Sequence, residues 1–246
     1  MDKKSQVVQQ FNQSAESYLT SQVHAKGIDL HWLKDLIVES PHERALDIAT
    51  GAGHTAFVLS EFVKNVIALD LTPNMLQVAS VEADRRNITN ISFVLGDAEA
   101  LPFINSYFDL VTCRIASHHF PHIKKAIKEM VRVLCKQGLL ILIDNFVPSD
   151  PESAQLMNSI EKLRDPSHVE CLSIEQWQQL LNESGFSEIN CYRTWTTQMN
   201  IPEWLDRAKT STENRQKIFE LIDKTETQWI DQQMIHLQKV MWVCRK

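Results

Sequence analysis

Residues 45–54, ALDIATGAGH, join a short apolar run, one acid and two glycines. The apolar residues predict a buried strand, Gly51 and Gly53 predict a tight turn, and a helix is expected from about His54. A second apolar run, residues 66–69, ends at Asp70. A tight turn after one strand and an acid after the next suit an adenosine-containing cofactor, because glycine admits the ligand to the backbone and the acid accepts from ribose hydroxyls.

Three further blocks follow in order. They are GDAEALPF at 96–103, FDLVTCR at 108–114 and KQGLLI at 136–141. The glycine turn lacks the G-x-G-x-x-G spacing that is typical of NAD sites. Taken together, these blocks over residues 42–150 resemble the class I S-adenosylmethionine-dependent methyltransferases, of the methyltransferase type 11 branch that includes the ubiquinone/menaquinone-biosynthesis C-methyltransferases. In that pattern Asp47 opens the first motif, and Ala49 stands where a first glycine often sits.

The resemblance implies S-adenosylmethionine as cofactor and S-adenosylhomocysteine as product. Asp70 would bind the ribose, while Asp97 and the Ala98 amide would bind the adenine. Read without the resemblance, Asp70 is a helix-capping acid and Asp97 a turn residue. The residues that we expect at the cofactor are Tyr18, His24, Asp47, Ala49, Thr50, Gly51, Gly53, Asp70, Leu71, Met75, Asp97, Ala98 and Arg114. Tyr18 and His24 equally suit ordinary positions of an amphipathic helix.

A histidine cluster follows the predicted fourth strand, in ASHHFPH at 116–122. The carboxyl ends of parallel strands face the ligand crevice, so His118 and His119 are candidates to orient an acceptor or to act as a general base. His168 is a third candidate, on an expected lid. In one alternative, one of these two histidines caps the next helix and the other packs against the sheet. In another, His118, His119 and His122 bind a zinc ion. We predict no metal, because no thiolate lies nearby and no helical i, i+4 histidine pair is present.

The elements that must position these residues alternate between strand and helix. Apolar runs predict strands at 45–49, 66–69, 91–95, 108–113 and 139–144, with helices at about 54–62, 73–83 and 124–134. This order predicts a parallel sheet with helices on both faces. The resemblance adds the rest: an α/β, Rossmann-like, doubly wound sheet of seven strands, mostly parallel with the last strand antiparallel, plus N-terminal and inserted lid helices.

The flanking segments are expected to cover the sheet. Residues 5–38 show helical spacing, and Pro41 ends the second helix. Residues 151–164, a helix capped by Ser173, and segments 202–209 and 213–224 are predicted helices, with strands at 188–196 and 235–244. We therefore expect a single methyltransferase domain, 1–246, with a helical cap at 1–40, a cofactor-binding core at 42–150, and lid helices and closing strands at 151–246.

Composition limits the partners. The 246 residues carry a net charge of −6 and are 43% hydrophobic, which favours a globular protein over a nucleic-acid binder. No apolar run reaches the roughly 18 residues of a membrane span, and the N-terminus has no apolar signal core. The five cysteines contain no C-x-x-C pair, so we expect free, buried thiols and a cytoplasmic protein. A homodimer is possible on this sequence.

The predicted function is methyl transfer from S-adenosylmethionine to a small-molecule acceptor by in-line displacement. An NAD(P)-dependent oxidoreductase on a similar fold is the first alternative, and the glycine spacing and residues 96–98 argue against it. A module that binds S-adenosylmethionine without catalysis is the second. The sequence identifies neither the acceptor nor the atom that is methylated.

Overall fold

The computed structural model describes residues 2–20, 25–38, 41–223, 229–231 and 233–246. His24, one of the residues expected at the cofactor, lies outside the described residues. Among the described residues no helix is both long and apolar enough to span a bilayer.

One twisted sheet organises the chain. Its main path runs β3-β2-β1-β4-β5-β8-β6. The strands are β1 (His42–Ile48), β2 (Val63–Asp70), β3 (Ile91–Leu95), β4 (Phe108–Arg114), β5 (Leu134–Asn145), β6 (Glu188–Asn200), β7 (Ile230–Asp231) and β8 (Met234–Arg245). The first five pair in parallel, whereas β8 runs antiparallel to both β5 and β6. The predicted seven-stranded sheet with an antiparallel last strand is confirmed.

The helices of the described residues surround this sheet. They are α1 (Lys3–Thr20), α2 (Ile28–Val38), α3 (His54–Ser60), α4 (Pro73–Arg85), α5 (Ile123–Val133), α6 (Pro151–Arg164), α7 (Ile174–Asn182), α8 (Ile201–Arg207) and α9 (Thr212–Asp223). Ser173 caps α7 in a capping box with Gln176, as its sequence position predicts.

Two details differ from the prediction. The strand β5 begins at Leu134 rather than at residue 139, because its first residues already pair with Phe108 before the register shifts. Gln137, with φ 66°, and Gly138 lie within this irregular stretch. The sheet also gains the two-residue strand β7, which pairs with Ile235 and Met234 of β8. Two residues are too short to show a strand periodicity in sequence.

Apolar clusters pack on both faces of the sheet and a third lies beside it. Leu46 and Ile48 belong to one sheet cluster, and Ala45 belongs to the other, as strand alternation requires. The third cluster joins α6, α8, α9 and β8 around Trp204, which is fully buried. This third cluster fixes the helices that follow β5 against the last strand.

The five cysteines are free. Cys113 of β4, Cys244 of β8 and Cys171, between α6 and α7, are buried as expected, whereas Cys191 is exposed on β6 and Cys135 is half-buried. The expectation of burial is therefore wrong for these two, because β6 is the edge strand of the sheet and Cys135 lies in the irregular start of β5.

Candidate functional site

A cleft lies at the carboxyl ends of β1, β2 and β4, with α1 along one wall. It encloses about 980 Å³, including the part that opens to solvent. Most residues expected at the cofactor line it, namely Tyr18, Ala49, Thr50, Gly51, Asp70, Leu71, Met75, Asp97, Ala98 and Arg114. Parallel strands meet their ligands at this end of a sheet.

Asp47 and Gly53 do not line the cleft. Asp47 is buried at the end of β1, where its carboxylate accepts hydrogen bonds from the Thr50 hydroxyl at 2.6 Å and the Thr112 hydroxyl at 2.7 Å. Burial raises the pKa of Asp47 to about 6, against the opposing effect of these two hydroxyls. Asp47 therefore connects the turn to the neighbouring strand β4 through these hydrogen bonds, without lining the cleft itself.

The turn itself follows a left-handed path. Ala49 has φ 54°, Gly51 φ 54° and Gly53 φ 87°. A Cβ at Gly51 would meet nothing within 4 Å, so the chain leaves open space at the cleft wall there. A Cβ at Gly53 would lie 2.7 Å from Cζ of Phe57, so this glycine permits close packing at the start of α3.

Asp70 organises the opposite side of the turn. Its Oδ2 accepts from the Gly51 amide and its Oδ1 from the Thr72 amide, both at 2.8 Å. Burial raises the pKa of Asp70, although these amide hydrogen bonds oppose the rise. Each carboxylate oxygen can accept a further hydrogen bond. Asp70 thus does not cap α4 itself but holds the amide of its N-cap residue, Thr72, and these contacts are compatible with ribose binding.

Asp97 lies at the far wall, beside the N-terminal helix. Nζ of Lys4 donates to Asp97 and to Glu99, each at 2.6 Å, and the Glu99 amide donates to Asp97 at 2.9 Å. Burial would lower the pKa of Lys4, but the two carboxylates outweigh it and raise that pKa. Ala98 is buried at this wall, and its amide has no acceptor within the part of the chain that the structure describes.

Arg114 lies at the end of β4 and is paired across to α2. Its Nε donates to Oδ2 of Asp29 and its Nη2 to Oδ1 at 3.2 Å. Both side chains are about 95% buried, with exposures of 5% and 4%. This ion pair connects the cleft to the N-terminal helices.

A second cavity of about 520 Å³ adjoins the cleft. Four residues line both spaces: Phe11, Tyr18, Ile115 and His119. The rest of its lining comes from the segments that follow β4 and α6, from the strands β5, β6 and β8, and from the helices α6 and α8, and much of it is charged. The two spaces thus share a wall that is formed by three apolar or aromatic side chains and one imidazole.

His118 lines the second cavity and is paired with an acid. Its Nδ1 lies 2.5 Å from Oδ1 of Asp144, and its backbone amide donates to Oδ2 of the same residue at 3.0 Å. The Ser117 hydroxyl also donates to Asp144. Burial would lower the pKa of His118, but the Asp144 carboxylate outweighs it and raises that pKa. The Asp144 carboxylate therefore favours the protonated, charged form of His118.

The second histidine, His119, is neutral at pH 7. Burial and the adjacent charge of His118, whose ring lies 4.2 Å away, lower the pKa of His119 to about 4. The Ser167 hydroxyl donates its single proton to Asp165 at 2.6 Å, so at 3.1 Å it accepts from Nδ1 of His119. This relay assigns the proton to Nδ1, and Nε2 carries the basic lone pair.

His168 lines neither space. Its Nε2 contacts Oδ1 of Asn158 at 2.9 Å on α6, and burial lowers its pKa strongly. A catalytic role for His168 is not supported by this geometry, because the ring packs against a helix rather than a cavity. His122 is exposed and its amide donates to Glu99. Within the described residues no group of three or more histidine, cysteine or acidic side chains could hold a metal ion.

Sequence reasoning missed part of the cleft lining. Lys4, Val7 and Phe11 come from α1, where their spacing of three and four residues places them on one face with Tyr18. His54 also lines the cleft, and its Nε2 contacts the Tyr18 carbonyl oxygen at 3.0 Å. The helical spacing is visible in sequence, but it does not show which surface the helix covers.

Comparison with known proteins agrees with this geometry. The model of a family described as a methyltransferase domain matches residues 46–142. The uncharacterized methyltransferase YcgJ of Bacillus subtilis is 36% identical over 210 residues, 85% of this chain and 82% of its own. The chain belongs to the methyltransferase family. It is an enzyme of the S-adenosylmethionine-dependent methyltransferase class.

Other relatives extend the comparison. The crystal structure of YcgJ from the same bacterium superposes with a TM-score of 0.84 at 31% identity, covering 89% of this chain and 98% of that one. A demethylmenaquinone methyltransferase of Renibacterium salmoninarum is 32% identical over 83% of this chain and 84% of its own. A Haemonchus contortus phosphoethanolamine N-methyltransferase 2 in complex with S-adenosyl-L-methionine shares the fold, with a TM-score of 0.61 at 19% identity over 92% and 58% of the two chains.

Proposed function

We propose that this methyltransferase binds S-adenosylmethionine in the cleft and transfers its methyl group to a small molecule held in the adjoining cavity. The observation that carries the proposal is the shared wall: Phe11, Tyr18, Ile115 and His119 line both spaces. A donor bound in the cleft and an acceptor bound in the cavity would therefore be neighbours along that shared wall. The net charge of −6 favours a small acceptor over a nucleic acid.

The cleft residues fit the cofactor. Each oxygen of Asp70 accepts one backbone amide and has capacity for a ribose hydroxyl. The Ala98 amide, which has no acceptor among the described residues, can donate to an adenine ring nitrogen. Asp97 can accept from the adenine amino group, in exchange for or beside the Lys4 ammonium. The open space at Gly51 lets a ligand reach the backbone.

The sulfonium of the cofactor supplies a methyl group that is already activated for displacement. The chain therefore has mainly to align the acceptor with that methyl group and to keep water out. Alignment of two reactants in this way can lower a barrier by roughly 7–11 kcal/mol. The half-buried apolar side chains of Phe11 and Ile115 suit this task, because they present no competing nucleophile.

His119 is the residue that we propose as general base. It is neutral at pH 7, and its Nδ1 proton is held by Ser167, so Nε2 is the atom available to accept a proton from the acceptor. His118 remains charged beside Asp144 and would stabilise negative charge that develops on the acceptor. A base is required only if the methylated atom carries a proton, as in a phenol or an activated C–H.

Relatives suggest, without fixing, the acceptor class. The curated relatives include demethylmenaquinone methyltransferases, whose names describe methylation of a quinone precursor. Those names support a small organic acceptor here.

The test is calorimetric titration of the protein with S-adenosylmethionine, S-adenosylhomocysteine and NAD in parallel. We expect the first two to bind with micromolar affinity and NAD not to bind. Binding of NAD alone would overturn the proposal. A radiolabelled-methyl screen of cell metabolites then separates an active enzyme from a module that binds the cofactor without turnover.

A further inference from the structure

The second cavity contains more positive than negative charge. Three permanent or near-permanent cations line it, from Arg164, Arg207 and Lys239, against two carboxylates, from Glu161 and Asp165. His118 also faces it, but the charge of that imidazole is balanced by Asp144. One positive charge is therefore left without a counter-charge in the lining.

Both carboxylates already accept hydrogen bonds from other groups of the chain. Glu161 accepts from Nη1 of Arg164 at 2.6 Å, and the Arg164 guanidinium also stacks 4.6 Å from the Trp204 ring. Asp165 accepts from the amide and the hydroxyl of Ser167, at 2.8 and 2.6 Å. Of the three cations, Arg164 is thus the one that the fold pairs with an acid.

Arg207 and Lys239 lack such partners in the described part of the chain. The Nε of Arg207 has no hydrogen-bond acceptor, and its Nη2 donates only to the weakly accepting sulfur of Met199, at 3.1 Å. Lys239 is 4% exposed, and its Nζ donates to a single amide oxygen, of Asn145, at 3.0 Å. A buried ammonium has three N–H groups to satisfy, so two of them lack an acceptor among the described residues.

Leaving cations in this state is costly. A buried charge without a counter-ion costs several kcal/mol, and a fold normally avoids it. Consistent with that cost, burial lowers the pKa of Lys239 to about 8, and burial followed by the nearby Arg164 charge lowers the pKa of Arg207. The two cations lie on different elements, α8 and β8, and both line the cavity.

We propose that the methyl acceptor carries a carboxylate and that Arg207 and Lys239 bind it in this cavity. The inference rests on the proposed function and specifies its substrate class. A carboxylate offers two oxygens, so one anion can accept from the guanidinium and from the ammonium together. It also restores the charge balance of the lining. His118 and His119 line the same cavity, so an acceptor anchored by its carboxylate has its remaining atoms beside the candidate base.

The test uses matched probes, since the acceptor itself is not identified. The protein is saturated with S-adenosylhomocysteine and titrated by calorimetry with benzoate, benzamide, hexanoate and hexanamide. Each carboxylate differs from its amide mainly in charge. We expect each carboxylate to bind at least tenfold more tightly than its amide. An equal affinity within each pair, including no binding by either member, overturns the proposal.

Variants assign the preference to the two cations. We expect Arg207→Gln and Lys239→Met each to weaken carboxylate binding at least tenfold and to leave amide binding within threefold. Arg207→Lys, which keeps the charge, should retain most of the preference, and Lys128→Met, at an exposed lysine of α5, should retain all of it. A folded Arg207→Gln and a folded Lys239→Met that both keep the full carboxylate preference overturn the assignment.

The S-adenosylhomocysteine titration separates two kinds of failure. If the wild-type protein does not bind it, the proposed function fails before the carboxylate is tested. If it binds and the carboxylates show no preference, the carboxylate proposal alone fails. Should Arg207→Gln unfold, as shown by circular dichroism, Arg207→Lys and Lys239→Met carry the decision.

Discussion

The cleft and the second cavity are built in different ways. The cleft is lined chiefly by residues at the ends of consecutive strands, such as Gly51, Asp70 and Asp97. The cavity is lined by side chains from α6, α8 and β8, and charged groups supply its polarity. A site made from strand ends depends on local sequence, whereas a site made from distant side chains depends on tertiary packing. This contrast fits a shared cofactor and acceptors that vary within a family.

Arg114→Met is the substitution that most strongly tests whether the cleft depends only on local sequence. Arg114 lines the cleft, but it is held by Asp29 of α2, and both side chains are about 95% buried. Removing one partner of a buried ion pair typically costs about 3–5 kcal/mol, because the remaining charge is left uncompensated. We expect a loss of that size in the free energy of unfolding, measured by urea denaturation.

Two comparisons control this result. Arg85→Met removes an exposed arginine that pairs with Glu82, and it should cost less than about 1 kcal/mol. The double variant Asp29→Asn/Arg114→Met should recover part of the loss. A cost for Arg114→Met as small as that for Arg85→Met would mean that the cleft does not depend on α2.

The pH dependence of stability tests the wall between the two regions. An unfolded histidine titrates near 6.5, whereas folding lowers the pKa of His119 to about 4. Between these values the unfolded chain takes up a proton that the folded chain resists, so this group removes stability as the pH falls from about 6.5 to 4. The full effect is about 3 kcal/mol by proton linkage.

The measurement compares the wild type with His119→Gln across that pH range. The variant should lose less stability on acidification, and His31→Gln, at an exposed histidine of α2, should behave as the wild type. Since Asp47 titrates in the same range with opposite sign, only the difference between variant and wild type is informative. Identical slopes for all three proteins would show that His119 is not kept neutral by the fold.

The contrast also explains how much the sequence predicts. The alternation of strands and helices over residues 45–144, the helix capped by Ser173 and the cleft residues after β1, β2 and β3 follow from contiguous patterns. The direction of Asp47 does not, because its hydrogen bond to Thr112 depends on the pairing of β1 with β4. Nor does the position of His168, whose packing on Asn158 depends on how α6 docks.

Tertiary packing also determines the positions of the residues that no sequence pattern predicted. Lys4 pairs with Asp97 and Glu99, more than 90 positions away in the chain. Arg207 and Lys239 meet at the cavity only because α8 packs beside β8. Single charged residues in amphipathic segments are usually solvated, so nothing local distinguishes these three from surface lysines and arginines.

Asp70→Ala tests the proposed binding of the cofactor in the cleft. The variant removes the proposed ribose acceptor, and we expect S-adenosylmethionine to bind at least tenfold more weakly, about 1.4 kcal/mol. It also leaves the Gly51 and Thr72 amides without their acceptor, so some stability is lost too. Calorimetry on protein shown to be folded measures the first effect.

The matched controls for this variant are Asp84→Ala and Asp70→Asn. Asp84 is exposed on α4, and its removal should leave the affinity unchanged. Asp70→Asn keeps one acceptor oxygen and should fall between the wild type and Asp70→Ala. Wild-type affinity in Asp70→Ala would remove this residue from the proposed site.

Ala49→Gly has the smallest expected effect and addresses the turn itself. Ala49 has φ 54°, a left-handed conformation that costs an L-residue about 1–2 kcal/mol and costs glycine almost nothing. Glycine loses about 0.4–1 kcal/mol more chain entropy on folding, so the net gain in stability should be about 0.5–1 kcal/mol. A gain of this size indicates that alanine is tolerated in the turn under strain.

Gln137→Gly separates strain from ligand binding. Gln137 also has a left-handed φ, 66°, but it lies at the start of β5 and outside the cleft lining. Both variants should gain stability, and neither should change the affinity for S-adenosylmethionine by more than threefold if the turn keeps its path. If Ala49→Gly weakens that affinity while Gln137→Gly does not, the methyl group of Ala49 itself contacts the cofactor, and the cleft then depends on a side chain where we expect only backbone.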